Sequence, residues 1–202
     1  MNRAKAEFFD TQVNEPWAAS EFGEKETNKI KRMLRHGGLR PGSQVIEPGC
    51  GTGRLTGILA DAVGPTGLVF ACDISPDMVE AACCRVGSRD NVRIECMPVE
   101  DYRFDPESFD VVVCNNVFPH FDNKPRAVFH LASALKPSGR FVVFHFMSSA
   151  EINDLHRKAD PSVINDLLPP EQEVREMFQA AGLQVELLED DDDGYLLCSV
   201  RQ

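Results

Sequence analysis

The chain has 202 residues, 43% of them hydrophobic and 26% charged, which suits one globular domain with a full core. Its net charge of −11 lacks the basic footprint that nucleic-acid binding needs, and no apolar run approaches the roughly 20 residues that span a bilayer, so neither nucleic acid nor membrane is an expected partner. Residues 1–10 hold no apolar signal core, and the seven cysteines sit mostly inside apolar segments as reduced packing groups, so a cytoplasmic protein is expected.

In chain order, residues 1–28 are irregular and are expected to cap one end of the fold. Lys29, Lys31, Arg32 and Arg35 read as a solvated helix face. A first strand is predicted over 44–47 and a second over 68–73, separated by a helix over 54–63 with Leu55, Ile58, Leu59 and Ala62 on one face. Ser75 caps the next helix, with Pro76 at its first position. Strands over 92–97, 109–115 and 140–146 follow, with a helix over 124–135 between the last two. Residues 146–169 are expected to form an insertion that caps the substrate. A helix over 170–181 stops at Gly182, and strands over 183–188 and 195–200 close the chain as a hairpin around the acidic turn 189–193. Near-continuous apolar runs such as Phe109-Asp110-Val111-Val112-Val113 suit strands covered on both faces. The alternation predicts an α/β fold: one doubly wound, mostly parallel seven-stranded sheet with an antiparallel last strand, in a single domain over 1–202.

The strongest chemical signal is Glu47-Pro48-Gly49-Cys50-Gly51-Thr52-Gly53 at the first strand-to-helix junction. Three glycines at alternate positions let the backbone approach a ligand without β-carbon clashes. Asp73 ends the second strand on the same sheet edge, where a carboxylate can accept hydrogen bonds from both hydroxyls of a ribose. A nicotinamide enzyme would show G-x-G-x-x-G; this loop reads G-x-G-x-G followed by Arg54, which fits a nucleoside without a pyrophosphate better.

With these residues the chain resembles the small single-domain class I S-adenosylmethionine-dependent methyltransferases. The resemblance runs from Phe8 to Gly139 and includes Asp73-Ile74-Ser75, Val99-Glu100-Asp101 and Leu135-Lys136-Pro137-Ser138-Gly139. It implies the Rossmann-like methyltransferase fold and S-adenosyl-L-methionine as cofactor. It also implies that Glu47 and the backbone of Gly49, Cys50, Gly51 and Gly53 hold the methionine end. Asp73 would bind the ribose, Ile74 would pack on adenine, Val99 would offer its backbone N–H to adenine, and Asn115 would meet the methionine amino group through its carbonyl. Pro98 stands where the family commonly has an adenine-binding Asp, which leaves Glu100 or Asp101 to take that contact.

The acceptor is sought near the ends of the fourth and fifth strands, where His120, His145 and His156 are candidates to accept a proton or hold a substrate. No clear third ligand joins His145 and His156, so no metal is expected. The fourth strand ends in Asn115-Asn116-Val117-Phe118 rather than the Asp/Asn-Pro-Pro-Phe/Tyr element of DNA amino-methyltransferases, and no cysteine follows a proline as in the cytosine-ring enzymes. The expected reaction is methyl transfer to a small-molecule acceptor by in-line displacement. A protein side chain as acceptor and a catalytically silent cofactor-binding module are the alternatives.

Overall fold

The apolar runs pair as one sheet in the computed structural model, which describes residues 2–202. The strands are β1 (Gln44–Pro48), β2 (Leu68–Asp73), β3 (Val92–Cys96), β4 (Phe109–Asn115), β5 (Leu135–His145), β6 (Leu183–Asp191) and β7 (Gly194–Arg201). They lie in the order β3-β2-β1-β4-β5-β7-β6. The pairs among β1 to β5 are parallel, and β7 runs antiparallel to both β5 and β6. The expected fold class is the observed one.

Side-chain alternation along the central strands builds two cores. Val111, Val113, Val142 and Phe144 face α3 (Glu24–Gly37), α4 (Arg54–Val63) and α5 (Pro76–Val86), and pack on Met33, Leu59 and Ala82. Val112, Cys114, Phe141 and Val143 face the other way. They meet α6 (Lys124–Ala134), α7 (Ser149–Arg157) and α8 (Glu171–Ala180) through Leu131, Ile152 and Phe178.

Three stretches differ from the sequence expectation. Residues 2–28 are largely helical, with α1 (Arg3–Asp10), α2 (Pro16–Ala19) and the first residues of α3. The Asn2 side chain caps α1 by accepting from the Lys5 N–H at 3.3 Å. β5 begins at Leu135, not at 140: Leu135 pairs with Phe109, and a register shift absorbs the turn at Ser138, where φ is +64°, before Arg140 meets Val111. The acidic run 189–193 is mostly strand. Glu189, Asp190 and Asp191 pair with Leu196, Tyr195 and Gly194, and the Asp190 carboxylate accepts from the Ser149 N–H at 2.8 Å.

Parallel order brings the carboxyl ends of β1, β2 and β4 to one edge, with β1 between the other two. α1 lies across that edge. At one end its Asp10 Oδ1 accepts from Ser75 Oγ at 2.5 Å and from the Asp77 N–H at 3.2 Å, beside the end of β2. At the other end Lys5 Nζ donates to the His120 carbonyl at 2.7 Å, just beyond β4. The helix therefore bridges over the end of β1, which carries the glycine loop.

Candidate active site

The glycine loop is shaped by hydrogen bonds to the end of β2. The N–H groups of Gly49 and Cys50 donate to the Cys72 carbonyl at 2.7 and 3.1 Å, and the Gly51 N–H donates to Asp73 Oδ2 at 2.9 Å. Asp73 Oδ1 accepts from the Ser75 N–H at 3.0 Å. Each carboxylate oxygen thus spends one acceptor site on the backbone and keeps another. Burial pushes the Asp73 carboxyl up from its ordinary value, while the backbone donors of Ser75 and Gly51 pull it down.

Gly49 and Gly51 meet different needs. A β-carbon on Gly49 would lie 2.2 Å from Val117 Cγ2, so that glycine is needed for packing. A β-carbon on Gly51 would meet no protein atom within 4 Å, yet Gly51 has φ +52° and lines a cavity of about 290 Å³. The space above it is left for something other than protein.

Gly49, Cys50, Gly51, Asp73, Ile74, Val99, Glu100 and Asn115 all line this one cavity. Glu47 and Gly53 stand just behind it; Gly53 has φ +78° at the start of α4, and its missing β-carbon would lie 3.0 Å from Ala82 Cα. Glu47 is 1% exposed, and its Oε2 has no hydrogen-bond partner among the described residues. Burial pushes this carboxyl up to about 8, with Thr56 pulling it down and Asp73 pushing it further up. Asn115 Oδ1 is likewise buried without a partner. Two unmet acceptors beside the glycine loop suit a ligand that brings N–H donors or positive charge. Burial, then Asp73 and Glu47, push the Cys50 thiol well above its ordinary value, which disfavours the thiolate.

Of the three candidate histidines only His120 lines the cavity. His145 does not line it: strand alternation places it on the side of Phe141 and Val143, where it is buried and its ring lies 6.1 Å from that of Tyr195. Burial, reinforced by His120 and His156, pushes the His145 imidazole down to about 3. His156 sits behind His120, with ring centroids 4.9 Å apart and Nδ1 bonded to the Asp166 carbonyl. The segment 146–169 gives the cavity wall only Phe146 and backs it elsewhere. The roof comes instead from the N-terminal residues Lys5, Phe9, Trp17 and Phe22. Arg54 fastens this part: it lies over the Phe22 ring at 3.9 Å and donates to the Trp17 carbonyl.

Lys5 and Asp166 went unnoticed in the sequence. Lys5 is 2% exposed, and its Nζ donates to Asp122 Oδ1 at 2.9 Å and to Asp166 Oδ1 at 3.0 Å. A buried lysine on an N-terminal helix and an aspartate 161 residues away carry no local pattern that would join them. No group of three His, Cys, Asp or Glu residues that could hold a metal ion occurs among the described residues, and none of their helices is long and apolar enough to cross a membrane.

A family model described as a methyltransferase domain matches residues 46–143, from β1 almost to the end of β5. The demethylmenaquinone methyltransferase of Staphylococcus aureus (strain JH9) is 32% identical over 119 residues, which cover 58% of this chain and 49% of that protein. The alignment thus spans about half the length of the curated relatives the chain matches. Among solved structures, magnesium protoporphyrin IX methyltransferase from Synechocystis PCC 6803, with bound S-adenosylhomocysteine, superposes with a TM-score of 0.74 at 19% identity, over 100% of both chains. A S-adenosylmethionine-dependent methyltransferase from Aquifex aeolicus gives 0.68 at 19% identity, over 99% of this chain and 97% of that one. The family match lies on the strands whose ends build the cavity, and the likenesses to these solved methyltransferases, at 19% identity, extend the match in fold to the whole chain.

Proposed function

We propose that this chain transfers the methyl group of S-adenosylmethionine to a small-molecule acceptor by in-line displacement. The observation that carries the reading is the pair of unmet buried acceptors, Glu47 Oε2 and Asn115 Oδ1, flanking a glycine loop whose Gly51 leaves space open to the same cavity as Asp73. The cofactor supplies an activated methyl group on a sulfonium. Glu47 and Asn115 take its ammonium end, Gly51 allows backbone approach, and Asp73 accepts from the ribose hydroxyls. Ile74 and Val99 bound the adenine, with Glu100 or Asp101 at its amino group.

Asn116, Val117, His120 and Phe121 form the acceptor side beyond the end of β4, with Phe9 beside them. A small acceptor is favoured because α1, tied down through Asp10 and Lys5, spans the cavity mouth. The excess of carboxylates, with net charge −11, suits a cationic cofactor and opposes polyanionic acceptors. The chain's residues act by aligning the acceptor with the methyl group and excluding water.

The test is calorimetry with S-adenosylhomocysteine, followed by incubation of the protein and S-adenosylmethionine with a metabolite extract. Binding together with formation of S-adenosylhomocysteine and a methylated small molecule is expected. Absence of binding defeats the reading, and binding without turnover turns it into a silent cofactor-binding module.

A further inference from the structure

His120 is held as a proton acceptor would be. Its Nδ1 lies 2.8 Å from Asp166 Oδ2. A carboxylate only accepts, so Nδ1 carries the proton and Nε2 keeps a free lone pair. No hydrogen bond reaches that Nε2 among the described residues, although the ring lines the cavity. Phe9 meets the His120 ring edge-on, with centroids 5.1 Å apart and planes at 82°. Asp166 is fixed in turn by Lys5, whose Nζ lies 3.0 Å from Oδ1 and 2.9 Å from Oδ2. A base oriented by a carboxylate that is itself held in place is the arrangement general-base catalysis requires.

The titratable groups around the ring are Asp166, Lys5, His156 and His145, with Asp122 and Lys124 beyond them. Burial pushes the His120 imidazole below its ordinary value, Asp166 pulls it up, and His156 and Lys5 push it down. It is therefore neutral at pH 7 and ready to take a proton.

Resting on the methyltransferase reading, we propose that His120 takes the hydroxyl proton of a phenolic acceptor and that Asp166 and Lys5 are its positioning residues. A phenol fits for two reasons. Its acidity, near pKa 10 for an unperturbed tyrosine-like group, is within reach of an imidazole, as that of an alkyl alcohol is not. The cavity also sets the ring of Phe9 beside His120, with Phe121 on the same wall. In the step, the phenol oxygen bonds to the methyl carbon as the carbon–sulfur bond breaks and leaves its electron pair on sulfur. The phenolic proton passes to His120 Nε2, giving a methyl aryl ether, S-adenosylhomocysteine and an imidazolium facing Asp166. The imidazolium then returns the proton to water.

The experiment uses the full chain with S-adenosylmethionine and three probes, catechol, 4-nitrophenol and 2-naphthol, with ether formation followed by mass spectrometry. At least one ether is expected. His120→Gln should lower kcat about 100-fold, in line with a general base, while cofactor affinity stays within about twofold. Asp166→Asn removes the charge that favours the imidazolium, so the acid limb of kcat/KM should move to lower pH; Lys5→Met removes an opposing cation and should move it to higher pH. A merely structural role would lower rates without this opposite pair of shifts. The inference is overturned by cofactor binding with no ether from any probe, by ether formation indifferent to His120→Gln, or by limbs that do not move in opposite directions. Failure of the wild-type chain to bind S-adenosylhomocysteine would instead defeat the underlying methyltransferase reading.

Discussion

Gly51 and Asp73, 22 positions apart, are joined by a hydrogen bond of 2.9 Å from the Gly51 N–H to Asp73 Oδ2. The loop that would approach the cofactor and the carboxylate that would bind its ribose are therefore one unit. Ser75 completes it by donating its N–H to the other Asp73 oxygen while its hydroxyl, the N-cap of α5, donates to Asp10 on the roof helix. A change at Asp73 acts on all of these parts.

Asp73→Ala should weaken S-adenosylmethionine binding at least tenfold. Charge-assisted hydrogen bonds contribute about 1.5–3 kcal/mol each, and every 1.4 kcal/mol is about tenfold in affinity. Asp73→Asn, which keeps one acceptor for the Gly51 N–H, should lose less. Calorimetry on the folded variants decides: wild-type affinity in Asp73→Ala would remove Asp73 from the cofactor site.

Gly51→Val and Gly49→Val should fail in different ways. At Gly51 the new β-carbon meets no protein atom within 4 Å, so the fold should survive apart from some strain at φ +52°, while cofactor affinity disappears. At Gly49 the new β-carbon would lie 2.2 Å from Val117 Cγ2, so melting temperature should fall steeply before binding can be assessed. Thermal melts beside calorimetry separate the two, and a Gly51 variant that binds normally would place the ligand elsewhere.

The sheet was legible because each strand is a short apolar run bounded by turn residues, and period and length alone locate such runs. That the glycine loop and Asp73 meet at one cavity was legible because local spacing marks both. The acceptor side was not. His145 and His156 are equivalent to His120 by position along the chain, but His145 is buried beside Tyr195 and does not line the cavity, and His156 spends Nδ1 on the Asp166 carbonyl. Of the segment 146–169, expected to cap the substrate, only Phe146 lines the cavity. The amphipathic pattern of α7 marks a face buried on the core through Ile152, and amphipathicity does not say which end of a sheet that core adjoins. The actual roof, α1, is held by Lys5 and Asp10 through partners more than 60 residues away, a separation at which local pattern is silent.

Glu47 makes cofactor binding and stability depend on pH in opposite senses. Burial pushes its carboxyl up to about 8 in the folded chain from an ordinary 4.5, so between those values the folded state holds a proton the unfolded state lacks. Stability should therefore fall as pH rises through that window. Glu47→Gln removes the effect: it should melt above the wild type at pH 8 and close to it at pH 4.5. A cationic ammonium beside Glu47 favours the charged form, so wild-type affinity for S-adenosylmethionine should rise from pH 6 to 8, and the rise should vanish in Glu47→Gln. Calorimetry across that range, in two buffers of different ionisation enthalpy, reads the released proton directly; affinity flat with pH would detach Glu47 from the ammonium.

Lys5 should matter more to stability than its place near the chain's start suggests. Its side chain is 3% exposed, and it pairs with Asp166, whose side chain is 13% exposed, and with Asp122, which is 60% exposed. Burial alone would raise the Asp166 carboxyl, yet His120 and Lys5 hold it below the ordinary range. Removing one partner of a buried pair costs about 3–5 kcal/mol, or roughly 6–20 °C in Tm for a chain of this size. Lys5→Met should fall in that range. Asp122→Ala removes only the solvent-screened half of the arrangement and should stay within about 4 °C of the wild type. α1 also lies over the glycine loop, so loosening it at Lys5 should speed cofactor release while the Asp10 tether still holds the other end. Thermal melts and stopped-flow dissociation measure both effects. Lys5→Met melting with the wild type would show that packing of Phe9 and the Asp10 tether hold the roof without the ion pair.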